Sequence, residues 1–322
     1  MLEGKQLILA TKPFIKENRL KSWFYTLSTF AFLIAAFTGS YIAPNIWLKM
    51  LCSLLSGLLI VRSFIIYHDF LHHAILNKSK IASFLMTIYG IFVLAPVSIW
   101  KRSHDYHHQN NSKLFTSSIG SFPVVTKTKF YSMTKAEQRE YLFIRHPLTI
   151  LFGYLSMFVF GMCVRSFMSS PRRHFDSLIA IIVHVLIGVS LFIFGGWQAW
   201  FLTQFFPFFF SLAIGAYYFY AQHNFPGVEF SEKCDWHYEN AALASSSFMK
   251  MSPIMQWFSG NIGFHHVHHL NARIPFYRLE EAMNSIPELQ NAKVTTLKFK
   301  DIAACLRLKV WDQELKQMTG LK

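Results

Sequence analysis

The amino-acid sequence predicts an all-α integral membrane protein: four transmembrane helices in two hairpins, interfacial or re-entrant helices between them, and a cytoplasmic cap that carries clustered histidines. Three observations lead there. Hydrophobic residues make up 52% of the 322-residue chain and charged residues 15%, where a soluble domain carries about 25% charged residues. Several apolar stretches approach the roughly 20 residues that cross a bilayer core of about 30 Å. The remaining charge is mostly basic, for a net +14, and it sits between the apolar stretches, as Lys and Arg do in cytoplasmic loops beside anionic headgroups.

The amino-terminal segment carries Lys5, Lys12, Lys16, Arg19 and Lys21 before the first apolar run at Trp23. That run is too distant and too long for a cleaved signal peptide and reads as a retained span. Spans are expected at about 22–43 and 46–67, joined by Pro44-Asn45, and at about 178–194 and 197–222, joined by Gly195-Gly196. Two more apolar stretches, 81–99 and 147–164, lie between positive residues: Lys78, Lys80, Lys101 and Arg102 around one, Arg165, Arg172 and Arg173 after the other. If positive loops stay inside, both stretches begin and end on the cytoplasmic side and do not cross. Pro96 and Pro147 suit such interrupted segments. Residues 1–322 then form a single membrane domain with a cap of 68–177 and 223–322. The basic excess separates into no polar domain, so no nucleic-acid partner is expected. Cys52, Cys163, Cys234 and Cys305 show no CxxC pairing and imply neither a disulfide framework nor a zinc knuckle.

Of 15 histidines, 11 fall in four clusters: His68, His72, His73; His104, His107, His108; His223; and His265, His266, His268, His269. Histidines beside a membrane are costly and usually functional. His68 and His72 stand one helical turn apart, and the next two boxes, HDYHH and HHVHH, repeat separations of three and four, which put imidazoles on one helix face. Imidazole suits iron, zinc, copper and nickel. A zinc site closes with three or four protein ligands, whereas His68, His72, His104, His107, His108, His223, His265, His268 and His269 supply nine, which fit two metals with room for dioxygen or solvent. Asp69 follows His68 where a zinc protease would need Glu. The inward Glu pattern of ferritin-like bundles is missing. Asp69 and Asp105 are read instead as carboxylates that orient the imidazoles.

One HxxxH box and two HxxHH boxes separated by spans resemble the membrane fatty-acid desaturase superfamily, over about Arg62 to Pro287. The segments AQHNF around His223, DWHYENAALASSS from Asp235, and QWFSGNIGFHHVHHLNARIPFYRLEEA from Gln256 look like bacterial acyl-lipid desaturases. The resemblance implies that His68, His72, His104, His107, His108, His223, His265, His268 and His269 hold two iron ions. His73 and His266 are then supporting residues, and His146, His174, His184 and His237 are structural.

The implied activity is dioxygen-dependent desaturation of the fatty acyl chains of membrane lipids. A methylene has no acidic proton, so an oxidising metal centre is needed. No haem or Rossmann motif is found, and a ferredoxin-like electron donor is expected at the basic face. The implied location is the bacterial inner membrane, with the site on the cytoplasmic side. The aromatic runs QFFPFFF and GAYYFY are candidates to line an acyl path. A hydroxylase, epoxidase or carotenoid ketolase on the same scaffold stays open at this point. A metal carrier or transporter is a remoter reading, because transporters place their sites at mid-membrane.

Overall fold

The computed structural model describes residues 2–116, 122–231 and 236–321. Cys234 and Asp235 lie outside the described residues. The rest is mostly helical. Among the described residues, three helices are long and apolar enough to cross a membrane: Arg19–Ile42, Ile46–Leu71 and the broken 47-residue run Phe175–Ala221. The pair Lys80–Phe92 and Val97–Asn110, which meet at 91°, passes the same test as a unit and raises the count to four.

Local chemistry explains where these elements stop. The first helix begins at the Asn18 side chain, which accepts from Lys21 N at 3.0 Å, and ends because Ala43, before Pro44, is extended at φ −55, ψ 146. Asn45 then caps the second helix by accepting from Leu48 N at 2.8 Å. A Cβ on Gly39 would lie 2.6 Å from Cys52 Sγ, so the two helices touch backbone to side chain beside this turn. In the 47-residue run, Gly196 leaves the helix at φ 74, ψ −177, a conformation open to glycine. Gln204 Nε2 donates to His184 O at 2.7 Å across that break, so the chain folds back on itself there.

The two turns meet at one end of the bundle. A Cβ on Gly195 would lie 2.8 Å from the Tyr41 ring, and Ser40 Oγ bonds Thr203 Oγ1 at 3.0 Å. Around the long helices large apolar side chains stay exposed, among them Phe24, Phe32, Ile34, Phe192 and Phe194. So wide an apolar surface calls for lipid.

The stretch read as 81–99 is broken between Phe92 and Val97. Leu94 takes φ 60, Ala95 N bonds Gly90 O at 2.9 Å, and Pro96 opens the next helix. Tyr67 OH donates to Ala95 O at 2.8 Å and Tyr89 OH to Ile60 O at 2.7 Å, tying the bend to the second long helix. Tyr154–Arg165 is wound as a π-helix. The cap also contains two small sheets unforeseen in the sequence: Phe248–Lys250 runs parallel to Val294–Thr296, and Val310–Asp312 pairs antiparallel with Gln317–Thr319.

Candidate metal centre

Four elements end at one place, opposite the turns. The second long helix brings His68 in its last turn and His72 at its C-cap. The Val97–Asn110 helix brings His104, His107 and His108. His223 follows the helix that closes at Ala221, and the short helix His265–Leu270 carries the third box. Their nitrogens gather in two groups, His68, His72, His104, His108, His268 and His107, His223, His265, His269, with the ligand atoms of each group within 4.8 Å of one another.

The partition follows helical geometry. His104 and His108, four apart, join the first group, while His107 between them crosses to the second. His265 and His269, four apart, join the second, while His268 crosses to the first. Each HxxHH box thus serves both groups, and neighbours about 100° apart on a helix reach different centres.

The nitrogens inside each group crowd together. His68 Nε2 lies 2.8 Å from His104 Nε2, and His108 Nε2 lies 3.1 Å from both His104 and His268. In the second group, His223 Nε2 is 3.0 Å from His107 and 2.9 Å from His265, and His269 Nε2 is 3.1 Å from His265. A neutral imidazole has one N–H and one lone pair. The Nδ1 of His223 faces Ser245 O at 2.8 Å; a carbonyl only accepts, so Nδ1 carries the proton and Nε2 presents its lone pair. Burial lowers the His223 pKa to about 4. Burial first, and neighbouring histidines second, hold His265, His268 and His269 well below their ordinary value. Lone pairs converging on one point repel unless a cation sits among them. At metal–nitrogen lengths of about 2.0–2.1 Å, ligands at right angles stand about 3.0 Å apart and tetrahedral ones about 3.4 Å. The observed separations match the former, and the donor sets fit two metal ions of five or six coordination positions.

Supporting residues divide unevenly. Asp69 bonds His68 Nδ1 at 3.1 Å and accepts Phe276 N at 2.6 Å, which anchors the NARIPFY run to the first box. His266 turns away from both groups and bonds Leu289 O at 3.0 Å. Two expectations are corrected. Asp105 orients no imidazole in the structure; it pairs with Lys101 at 2.7 Å, one turn earlier on the outer face. His73 takes φ 59 as the chain leaves its helix, and its side chain is exposed. The other histidines are engaged elsewhere: His146 accepts Leu148 N, His174 bonds Ser98, His184 bonds Tyr154, and His237 is exposed. The Ser245 carbonyl and the Tyr238 hydroxyl, which donates to His269 O at 2.6 Å, escaped the sequence reading. A backbone carbonyl leaves no mark on a sequence.

Two cavities reach the histidines. One is apolar, walled by Ile60, Phe64, Phe158, Leu212, Tyr218 and Phe219, with His68, His104 and His265 also lining it. The other is polar and lies beside His107 and His223, among Asn110, Asn111, Arg145 and Asn224.

The chain is also similar to known proteins. A fatty acid desaturase of Bacillus subtilis is 28% identical over 99% of this chain and 91% of its own length. An sn-1 oleoyl-lipid 12-desaturase of Picosynechococcus is 22% identical over 84% of the chain and 78% of its own. The chloroplastic omega-6 fatty acid desaturase of Spinacia oleracea is 23% identical over 77% of the chain, which spans 54% of that protein. The family model described as fatty acid desaturase matches residues 44–297, the region holding every converging histidine, and the chain therefore belongs to the fatty acid desaturase family of membrane oxidoreductases.

Proposed function

We propose that this enzyme places a cis double bond in the fatty acyl chains of membrane lipids. The observation that carries the proposal is the meeting of nine converging imidazoles with the apolar cavity. An acyl chain in that cavity has its methylenes beside His68, His104 and His265 and is screened from water. Two iron ions would be held by His68, His72, His104, His108 and His268 and by His107, His223, His265 and His269. When bound, they supply the oxidising chemistry that an unactivated methylene demands. The balance is one dioxygen, two electrons and two protons consumed, one carbon–carbon double bond and two waters formed.

The chain's own residues orient and wall the site. Asp69 and the Ser245 carbonyl set two ring orientations, and His266 ties the third box to the cap. The polar cavity beside His107 and His223 offers the wet path that protons and product water require. Electrons come from a ferredoxin-like donor docking on the basic cytoplasmic face. The name of the Picosynechococcus relative supports a lipid-bound acyl chain as substrate. The reading is completed by four spans in two hairpins, with 81–99 and 147–164 not crossing, and by a cap on the cytoplasmic side of a bacterial inner membrane, which the positive residues flanking those stretches support.

The test is expression in a host lacking its own desaturase, with fatty-acid methyl ester profiling. New cis-monounsaturated chains are expected, dependent on dioxygen. Hydroxylated or epoxidised chains without olefin would replace this reading by another reaction on the same scaffold.

A further inference from the structure

Gly215 lies within the Phe206–Ala221 helix, where glycine costs stability relative to alanine. Other helical glycines have packing reasons. A Cβ at Gly57 would stand 2.9 Å from the Phe210 ring, and at Gly188 2.5 Å from Gln204 Oε1. At Gly215 an added Cβ meets nothing within 4 Å, and no positive φ calls for glycine there. Neighbouring backbone does not explain this residue.

The space it leaves open belongs to the apolar cavity. Ser211, Gly215, Tyr218 and Gln222, with Leu212 and Phe219 beside them, line that cavity from one face of the helix. His223 comes next in the chain, so Gly215 stands about 12 Å up the helix from it at 1.5 Å per residue. Along this face the wall is bulky at Tyr218 and Phe219 and bare at Gly215.

We infer that Gly215 is a specificity-determining residue: its missing side chain leaves the room that admits the part of the acyl chain beyond the reacting carbons. The inference rests on the acyl-chain reading of the cavity. A larger residue here shortens the cavity at a distance from the histidines, so it selects against long chains and spares the metal centre. Rejecting one methylene from an apolar pocket is worth about ten- to two-hundred-fold.

The experiment compares wild type, Gly215→Ala and Gly215→Leu in a desaturase-deficient host supplied with myristic, palmitic and stearic acids, alongside iron content of the purified proteins. The same three proteins in detergent are melted with each acyl chain added, which reads binding without turnover. For Gly215→Leu, the ratio of short to long unsaturated product should rise by at least about tenfold, and stabilisation by the stearoyl chain should be lost while that by the myristoyl chain is kept. Gly215→Ala, whose Cβ has free space, should fold normally and shift in the same direction by less. Iron content should stay at the wild-type level in both. An unchanged length profile in product and in melting, or a loss uniform across chain lengths, overturns the role of Gly215. Absence of unsaturated product and of acyl-induced stabilisation in the wild type overturns the acyl-chain reading, and this inference with it.

Discussion

His268 and His266 sit two positions apart on one short helix and face opposite ways. His268 points its Nε2 to within 3.1 Å of His108, whereas His266 bonds the Leu289 carbonyl at 3.0 Å. Replacing His268 by Ala removes one donor of the five-membered group and should abolish desaturation and lower bound iron. Replacing His266 by Ala removes a tie to the cap but none of the converging nitrogens, so it should keep part of both activity and iron. Iron per chain measured on both purified variants separates the two roles, and equal loss of iron would mean that His266 is a ligand. The convergence of nine histidines was legible because ligand chemistry demands a particular side chain at helical spacing. Their division into five and four was not, since it depends on how four elements converge. Nor were the places of His73 and Asp105, where a helix end and a nearby lysine redirect the side chain.

At the scale of elements, the 91° bend between Lys80–Phe92 and Val97–Asn110 aims the second box at the first. It is tightly fitted: a Cβ on Gly90 would lie 2.7 Å from Tyr67 Oη and 3.0 Å from Ala95 O. Gly90→Ala should therefore cost about 1–3 kcal/mol through overpacking, although alanine favours a helix. Tyr67→Phe should cost about 1–3 kcal/mol by leaving the Ala95 carbonyl unpaired in a buried place. Thermal melting checks both, and a variant melting like the wild type would show that the bend does not depend on this contact. The bend was half legible. Pro96 announced an interruption, but the helix stops four residues earlier, where Leu94 turns left-handed. Pro44 and Gly196 mark their breaks plainly because proline and glycine act on the backbone directly. The three-residue strands of the cap were invisible in the sequence, because so short a segment has no periodicity to read.

Across the whole molecule, contacts sort the charged segments without reference to a membrane. The amino-terminal segment is held to the histidine end: Arg278 Nη1 donates to Pro13 O at 2.9 Å, and Asn271 Nδ2 to Thr11 Oγ1 at 2.7 Å. The loop after Arg165 reaches the start of the second-box helix, where Ser98 Oγ bonds Asp176 at 2.6 Å. At the other end lie the two turns, with Trp47 and Trp197 exposed at 76% and 66%, as interfacial anchors are. Lys49 is the one charged residue in the stretches 40–52 and 190–205. The positive-inside rule predicts from this that the histidines face the cytoplasm. In a cysteine-free background, Ser169→Cys should be shielded from a membrane-impermeant maleimide added from the periplasm and should react once the membrane is opened. Pro44→Cys and Trp197→Cys should react in intact cells. Periplasmic labelling at Ser169 would put the basic loop and the second-box helix on the far side from any cytoplasmic electron donor, and the four-span arrangement would have to be redrawn.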